Sequence, residues 1–154
     1  MRSIGIIPAR YASTRFPAKP LVEINGKSMI QRVYEQAKKS TALDHVVVAT
    51  DDQRIFDAVV DFGGEVVMTS ENHQSGTDRC LEAALQMEVE FDVVVNIQGD
   101  EPFISPSQID LILSCFTQEN TEIATLAKLI EDANTLWDPN KPKVVLDDDD
   151  FAIL

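Results

Sequence analysis

Cysteine and long apolar runs are scarce in this sequence, and each scarcity excludes a class of protein. The two cysteines among 154 residues, Cys80 and Cys115, both stand among apolar residues at helical spacing. This pattern predicts reduced core thiols in a cytoplasmic protein and argues against a disulfide or a metal site built from cysteine. No apolar run approaches the roughly 20 residues of a membrane-spanning helix, and we expect no signal peptide at the amino terminus.

Three familiar motifs are also missing. Gly26-Lys27-Ser28 matches the end of a Walker A sequence, but Leu21 stands where that motif requires its first glycine. No GxGxxG follows the first predicted strand, and no GxSxG elbow is present. The sequence therefore argues against a P-loop, a dinucleotide-binding Rossmann site and a serine hydrolase.

Positive charge is scarce and unevenly placed. The chain has 13 Lys and Arg against 26 Asp and Glu, which gives a net charge of −13. Residues 1–27 hold five cations and one acid, a net charge of +4, and the remaining 127 residues therefore sum to −17. An acidic body does not provide the broad positive surface that nucleic acid binding needs. One basic segment on such a body suits a small anion that is held locally.

That basic segment is the loop Ile7–Leu21, with the sequence IPARYASTRFPAKPL. It follows the apolar strand predicted at Ile4–Ile7, and its prolines restrict the path of the backbone. Its cations are Arg10, Arg15 and Lys19, and its small residues, which let backbone N–H groups approach a ligand, are Ala9, Ala12, Ser13 and Thr14. A cationic loop at the carboxyl end of a first strand predicts a polyphosphate site. The alternative is a set of solvated surface cations.

Strand and helix patterns alternate over roughly the first 120 residues, which predicts an α/β fold with a mostly parallel sheet and helices on both faces. Strands are predicted at 4–7, 45–50, 65–68 and 91–97, and helices at 28–40, 52–62, 77–87 and 105–116. We also expect a turn at Asn25-Gly26, helix caps at Ser28 and Asp52, and a helix stop at Gly63-Gly64. In the third helix we expect Leu81, Ala84 and Leu85 to point inward. Beyond the fourth helix, strands are predicted at 122–129, 143–146 and 151–154, with a helical turn at 133–137. Because the last four residues are apolar, we expect the sequence to be part of a longer protein.

Two more stretches follow predicted strands. Gln98 and Asp100 come directly after the strand at 91–97, where a carboxylate can hold Mg²⁺ against phosphate oxygens. Gln98 could donate to a sugar hydroxyl or a base, and an ordinary turn aspartate is the alternative for Asp100. The stretch His73–Arg79 (HQSGTDR) is a loop entering a helix, where Ser75 and Gly76 offer donors at the helix N-terminus. Its alternatives are a plain helix cap, a surface arginine and a loop histidine.

Taken together, these stretches resemble the 3-deoxy-manno-octulosonate (Kdo) cytidylyltransferase family, the CMP-Kdo synthetases. The resemblance covers essentially the whole chain and rests on IPARYASTRFPAKPL, VVVATDD, HQSGTDR, NIQGDEP and DPNKPKVVLDDDD. It implies a Rossmann-like three-layer sheet of the nucleotide-diphospho-sugar transferase type, with 1–154 as one nucleotidyltransferase domain that is truncated at its C-terminal end. The family commonly has glycine where this chain has Ala18, a departure that matters only if φ is positive there.

The resemblance also implies a reaction and its residues. Kdo is activated with CTP to give CMP-Kdo and pyrophosphate for lipopolysaccharide biosynthesis, by a cytoplasmic, Mg²⁺-dependent transferase that is a homodimer at full length. From the acidic charge and the absence of a long apolar run, we expect no nucleic acid partner and no membrane insertion. By resemblance, Arg10, Lys19 and Asp100 are catalytic, Asp100 binds the metal, and Gln98 faces Kdo. The nucleotide-binding residues implied are Ala9, Arg10, Ser13, Thr14, Arg15, Lys19, Ser75, Gly76, Arg79 and Gln98.

Other readings stay open at this point. A different sugar-acid cytidylyltransferase, such as one for sialic acid, has the same reaction type, although ARYASTR favours Kdo. A non-catalytic nucleotide-binding module and a structural α/β domain with a basic loop are further alternatives. Because the family continues past residue 154 with a second metal-binding aspartate, most Kdo contacts and much of the dimer contact, we expect this chain alone to bind CTP poorly and not to turn over.

Overall fold

Parallel strands separated by helices dominate the structure, a computed structural model that describes residues 1–12, 16–148 and 151–153. Its strands are Ser3–Ala9 (β1), Glu23–Ile24 (β2), Lys27–Ser28 (β3), His45–Thr50 (β4), Val66–Met68 (β5) and Val93–Asn96 (β6). Its helices are Met29–Ala37 (α1), Gln53–Asp61 (α2), Gly76–Gln86 (α3), Pro106–Cys115 (α4) and Ala133–Trp137 (α5), with a 3₁₀ turn at Lys19–Leu21. Residues 1–122 form one compact unit and residues 123–154 another.

β1 lies in the middle of the main sheet, whose strand order is β5-β4-β1-β6. All of these strands are parallel, with Gly5 of β1 opposite Val46 of β4 and Val95 of β6. Since both faces of β1 are covered, its side chains form an almost unbroken apolar run, as a central parallel strand requires. The predicted mostly parallel sheet is confirmed. β2 and β3 form a small antiparallel hairpin at the predicted Asn25-Gly26 turn.

The sheet carries helices on both faces, which confirms the predicted three-layer arrangement. One face packs against α1, α2 and α4 through a core that includes Ile7, Val48, Ile30, Ile55 and Ile109. The other face packs against α3, where Ile4 and Ile6 meet Cys80 and Ala83. None of the helices in the described part of the chain is both long and apolar enough to cross a bilayer.

The order of the strands creates a crevice beside β1. The chain moves outward from β1 to β4 and then to β5, and α3 carries it back to β6 on the other side of β1. The connection that leaves β1 and the connection that enters β6 therefore run to opposite sides of β1. In open α/β sheets, ligands bind at the carboxyl ends of strands where the order reverses in this way. The fold places such a position between the ends of β1 and β6.

Side-chain caps fix where the helices begin. The side chains of Ser28, Asp52 and Ser75 accept hydrogen bonds from backbone N–H groups in the first turns of α1, α2 and α3. The first two caps were predicted, whereas α3 is capped by Ser75 and begins one residue earlier than expected. α2 ends before Gly63, whose φ of 78° favours glycine, as predicted.

The predicted inward face of α3 was wrong in part. Leu81 and Leu85 are 61% and 76% exposed. The buried positions are instead Arg79, Cys80 and Ala83, which recur at helical spacing on the side facing the sheet. A pattern that counts only apolar residues assigns the wrong face here, because one inward position is taken by an arginine.

The strands predicted in the second unit, residues 123–154, are mostly not formed by its described residues. Residues 123–130 are all described and none of them is in a strand, so the strand expected at 122–129 was wrong. Of the strands expected at 143–146 and 151–154, the described residues form one antiparallel bridge, Leu146 to Ala152, and Leu154 lies outside the described residues. β-branched residues form a strand only where another strand offers a partner, and two short segments alone are marginal. The helical turn at Ala133–Trp137 is confirmed.

Both cysteines are free, and they differ in burial. Cys80 is 4% exposed in the core under α3, and burial raises the pKa of its thiol to about 11. Cys115, at the end of α4, is only partly buried. The prediction of a buried core thiol is confirmed for Cys80 and was wrong for Cys115, which is only partly buried.

Selective alkylation tests this difference. With iodoacetamide at pH 8, we expect Cys115 to react well before Cys80, because Cys80 is shielded and only a small fraction of it is thiolate. Peptide mass spectrometry measures both rates in one sample, so Cys115 serves as the internal control, and urea should equalise the two. Equal rates in the folded protein would contradict the assigned burial.

Candidate functional site

A cavity of about 430 Å³ lies at the carboxyl ends of β1 and β6. Its walls come from the end of β1, the segment leading into the 3₁₀ turn, and the turn after β6. The lining residues are Pro8, Ala9, Arg10, Phe16, Lys19, Pro20, Gln98, Gly99 and Asp100. The crevice predicted from the strand order is thus present, and it combines cations with a carboxylate.

A second cavity of about 210 Å³ shares one wall with the first. Pro8, Ala9, Arg10 and Gln98 line both cavities. The other walls of the second cavity are His73, Gln74, Ser75, Gly76 and Arg79, from the loop that enters α3. The structure therefore brings the three predicted stretches to one edge of the sheet.

The candidate residues divide between the two cavities. Ala9, Arg10 and Gln98 belong to both, Lys19 and Asp100 to the larger, and Ser75, Gly76 and Arg79 to the smaller. Ser13, Thr14 and Arg15 lie outside the described residues. The grouping places the cations of Arg10 and Lys19, the carboxylate of Asp100 and the N-terminus of α3 along one edge of the sheet.

One ion pair spans the larger cavity. The Nζ atom of Lys19 lies 2.5 Å from Oδ2 of Asp100, and the two side chains are 38% and 50% exposed. An ion pair with this exposure contributes about 0–1 kcal/mol, because water solvates both partners well when they separate. The pair neutralises both groups, yet either partner can exchange the other for a ligand at small cost.

A glycine lets the turn after β6 approach the end of β1. A Cβ atom on Gly99 would lie 3.0 Å from the carbonyl oxygen of Pro8, tighter than nine in ten real Cβ contacts. A Cβ atom on Gly76 would lie 3.4 Å from Cγ of Pro8, which is an ordinary van der Waals contact, so the loop before α3 does not need glycine there to pack against β1. The close approach at Gly99 holds the backbone that bears Gln98 and Asp100 against the end of β1, directly before Arg10.

Arg79 is a buried residue with partners of its own. It is 4% exposed, its Nη2 atom donates to Oδ2 of Asp51 at 2.5 Å, and its Nη1 atom donates to Oγ1 of Thr69 at 2.6 Å. Asp51 and Thr69 directly follow β4 and β5, so Arg79 ties both strand ends to α3. Sequence reasoning missed Asp51 and Thr69 as site residues. The available signal was the polar residue directly after each strand.

His73 supports the loop before α3. Its Nε2 atom contacts Oε2 of Glu82, and the backbone N–H of Ser70 donates to the same oxygen at 2.9 Å. These bonds lower the pKa of the Glu82 carboxyl, the Ser70 N–H more than His73. The side chain therefore stays ionised at neutral pH and holds both ends of the loop. His73 is the loop histidine that the sequence suggested.

Ala18 has a positive φ of 60°, in the left-handed region. The departure from the glycine of the family is therefore not neutral, because a Cβ atom is strained in this conformation. The Ala18 N–H donates to the carbonyl oxygen of Tyr11 at 3.0 Å. This bond closes the base of the cationic loop just before Lys19.

Metal-ligating groups are sparse at the site. Among the described residues, no three His, Cys, Asp or Glu side chains are grouped closely enough to hold a metal ion. Asp100 offers one carboxylate on the wall of the larger cavity. Mg²⁺ commonly takes one or two carboxylates and completes its shell with water and phosphate oxygens. The donor set therefore fits Mg²⁺ that arrives with a phosphate ligand and does not fit an all-protein metal cage.

A three-layer α/β sheet with a cationic crevice at its switch point defines a protein of the nucleotide-binding α/β class. A family model described as cytidylyltransferase matches residues 4–154. The chain therefore belongs to the cytidylyltransferase family.

Named relatives agree with this placement. The chain is 59% identical over 157 residues to a 3-deoxy-manno-octulosonate cytidylyltransferase of Parabacteroides distasonis, covering 99% of this chain and 62% of the relative. It is 59% identical over 149 residues to the protein of that name from Bacteroides thetaiotaomicron, covering 95% of this chain and 59% of the relative. The chain thus spans about three-fifths of the length of these curated relatives.

A solved structure shares the fold. It is a CMP:2-keto-3-deoxy-manno-octonic acid synthetase complexed with CTP, 45% identical, with a TM-score of 0.73. The similarity covers 76% of this chain and 48% of that one.

Replacing Arg79 tests the buried network. We expect Arg79→Gln to lower the free energy of unfolding by about 2–4 kcal/mol, because Asp51 is left without its buried cationic partner. Lys27→Gln is the control. It removes a cation from an ion pair with Glu35 whose side chains are 45% and 39% exposed, so we expect a loss below about 1 kcal/mol. Equal losses in urea titrations would contradict the structural role of Arg79.

Replacing Ala18 tests the strained backbone. Ala18→Gly should raise the free energy of unfolding by about 0.5–1 kcal/mol, since relief of the left-handed strain exceeds the added entropy of glycine. Ala12→Gly, in the same loop but not among the residues of positive φ, should instead be destabilising by up to about 1 kcal/mol. If Ala18→Gly proved as destabilising as Ala12→Gly, the assigned conformation would be wrong.

Proposed function

We propose that this chain is the nucleotide-binding portion of an enzyme that activates Kdo with CTP, giving CMP-Kdo and pyrophosphate. One observation carries the proposal: two cations and a carboxylate, Arg10, Lys19 and Asp100, line a single crevice at the switch point of the sheet. The names of the relatives supply the substrate, and the solved synthetase with CTP supports the choice of nucleotide.

The two cavities suggest how CTP would lie. The triphosphate would occupy the larger cavity beside Arg10 and Lys19, where two cations offset its charge. Ser13, Thr14 and Arg15, from the same loop, would add donors, as the resemblance implies. The cytosine and ribose would occupy the smaller cavity against Ser75 and Gly76. Arg79 lines that cavity while bonded to Asp51 and Thr69, so we propose that it shapes the wall and presents little of its guanidinium to the nucleotide.

The chemistry needs position and charge more than a covalent partner. The anomeric hydroxyl of Kdo would attack the α-phosphorus in line and form the new P–O bond, while the bond to the β-phosphate oxygen breaks. The hydroxyl proton passes to water, and pyrophosphate leaves with the electron pair. Arg10 and Lys19 would stabilise the negative charge that grows on the leaving group. Gln98, at the junction of the cavities, would orient the sugar.

Asp100 is the residue that would hold Mg²⁺. When bound, that ion neutralises phosphate charge and lowers the pKa of the attacking hydroxyl. Without nucleotide, Lys19 neutralises Asp100 through the exposed ion pair. We propose that Lys19 turns to the phosphates when CTP binds and thereby frees the carboxylate. The weakness of an exposed pair makes this exchange inexpensive.

The length of the chain limits what it does alone. Because it spans about three-fifths of its curated relatives, we expect it to bind CTP poorly and not to turn over. A second candidate, a nucleotide-binding module without catalysis, is favoured by the same observation. The names of the relatives favour Kdo over sialic acid. A homodimer, a cytoplasmic location and the absence of nucleic acid partners stay predictions.

Calorimetric titration of CTP into the chain tests the site. We expect CTP to bind more tightly than UTP or GTP, and Mg²⁺ to strengthen binding by roughly tenfold, since it bridges carboxylate and phosphate. Asp100→Asn should abolish the effect of Mg²⁺. Glu101→Gln, which removes the next, exposed carboxylate, is the matched control and should retain it. Preference for UTP or GTP would contradict the proposal, and so would a metal effect that survives Asp100→Asn.

A pyrophosphate-release assay with CTP, Mg²⁺ and Kdo tests the reaction, beside the intact mass of the purified protein. No release is expected from a protein whose mass matches 17.1 kDa. Release from that protein would overturn the expected inactivity, and release with another sugar acid in place of Kdo would overturn the substrate.

A further inference from the structure

An aromatic residue stands directly beside Arg10 at the end of β1. Tyr11 is partly buried, and the guanidinium carbon of Arg54 lies 3.3 Å from the centroid of its ring. Arg54 belongs to the first turn of α2, which follows β4. A cation over the face of a tyrosine ring at this distance is held by the ring's quadrupole. The contact joins the cationic loop to a different strand end.

The guanidinium of Arg54 is itself fixed. Its Nε atom donates to Oδ1 of Asp52 at 2.9 Å, and its Nη2 atom donates to Oδ2 at 2.6 Å. Oδ1 also accepts the backbone N–H of Arg54 at 3.0 Å, so Asp52 caps α2 with the same side chain. A two-bond contact of this kind sets the plane of the guanidinium. The hydrogen bond from the Arg54 side chain is the main reason why the pKa of the Asp52 carboxyl is lowered, and the pair stays ionised at neutral pH.

Tyr11 also closes the base of the loop. Its carbonyl oxygen accepts the N–H of Ala18 at 3.0 Å, and Lys19 comes next in the chain. Arg10 precedes Tyr11 directly. The hydrogen bond between Tyr11 and Ala18 therefore lies between Arg10 and Lys19 in the chain. These are the two cations that line the larger cavity.

We propose that Arg54 is a positioning residue, whose stacking on Tyr11 clamps the base of the cationic loop and presets Arg10 and Lys19 for a polyphosphate. The identity of that ligand rests on the proposed function, whereas the clamp rests on the contacts alone. A loop that is fixed before binding loses less conformational freedom when its ligand arrives. Arg54 contributes to affinity in this way although it does not line either described cavity.

Hydrogen exchange of the nucleotide-free chain tests the clamp without reference to any ligand. In Arg54→Gln and Tyr11→Leu, we expect exchange at the Ala18 amide to accelerate by about fivefold or more, as loss of a cation–π contact predicts. Tyr11→Phe keeps the ring face and should restore the wild-type rate. Lys38→Gln removes a cation from an exposed position at the end of α1 and is the matched control for charge. Amides of β4 should be unaffected in every variant.

The affinity for CTP, measured with the same variants, tests the consequence. Arg54→Gln and Tyr11→Leu should raise the Kd by roughly fivefold to tenfold, while Tyr11→Phe and Lys38→Gln leave it unchanged. Arg54→Lys should lie between them, because lysine keeps the charge and loses the fixed plane.

The outcomes separate this inference from the proposed function. Unchanged Ala18 exchange in Arg54→Gln would overturn the clamp, whether or not CTP binds. Faster exchange in β4 as well as at Ala18 would also overturn it, because Arg54 would then only stabilise the fold. Failure of the wild-type chain to bind CTP would count against the proposed function, and the exchange data would still decide the clamp. Faster loop exchange with an unchanged Kd would overturn the role in binding.

Discussion

The pairing of β1 with a parallel strand on each side is the constraint on which the rest of the structure depends. β1 is buried on both faces, and the exposed residue Arg10 directly follows its carboxyl end. Because β4 and β6 flank it, the residues that follow those strands must lie beside Arg10. Gly99 permits the last step of this approach, since a Cβ atom there would crowd the Pro8 carbonyl. The order of the strands therefore determines which residues come together at the site.

Two ion pairs at this edge of the sheet differ in their exposure to water and therefore in what they do. The pair of Arg79 with Asp51 is largely shielded from water, and such pairs are costly to break once one partner is removed. The pair of Lys19 with Asp100 is about half exposed and contributes little to stability. The first kind fixes the walls of the site. The second leaves its two charges available to a ligand, in a chain whose overall charge is −13.

Sequence patterns predicted the parts of the fold that depend on local order. The strands in β-branched runs, the caps at Ser28 and Asp52, and the meeting of three loops at one edge follow from periodicity and from the geometry of parallel strands. The burial of Arg79 was not predictable in this way, since its partner Asp51 lies 28 residues away. The φ of Ala18 depends on a loop closure, and the expected strands after residue 122 lacked partners. These features arise from tertiary contacts that a local pattern does not contain.

The central claim is that one nucleotide occupies both cavities at the carboxyl edge of the sheet. An NMR titration of the ¹⁵N-labelled chain with CTP and Mg²⁺ tests it most directly, because backbone amide shifts report where the ligand lies. The account predicts shifts at Ala9 and Arg10, at Ser75 and Gly76, and from Gln98 to Asp100, with little change at the opposite edge of the sheet. Shifts confined to another surface, or to only one of the two cavities, would contradict it.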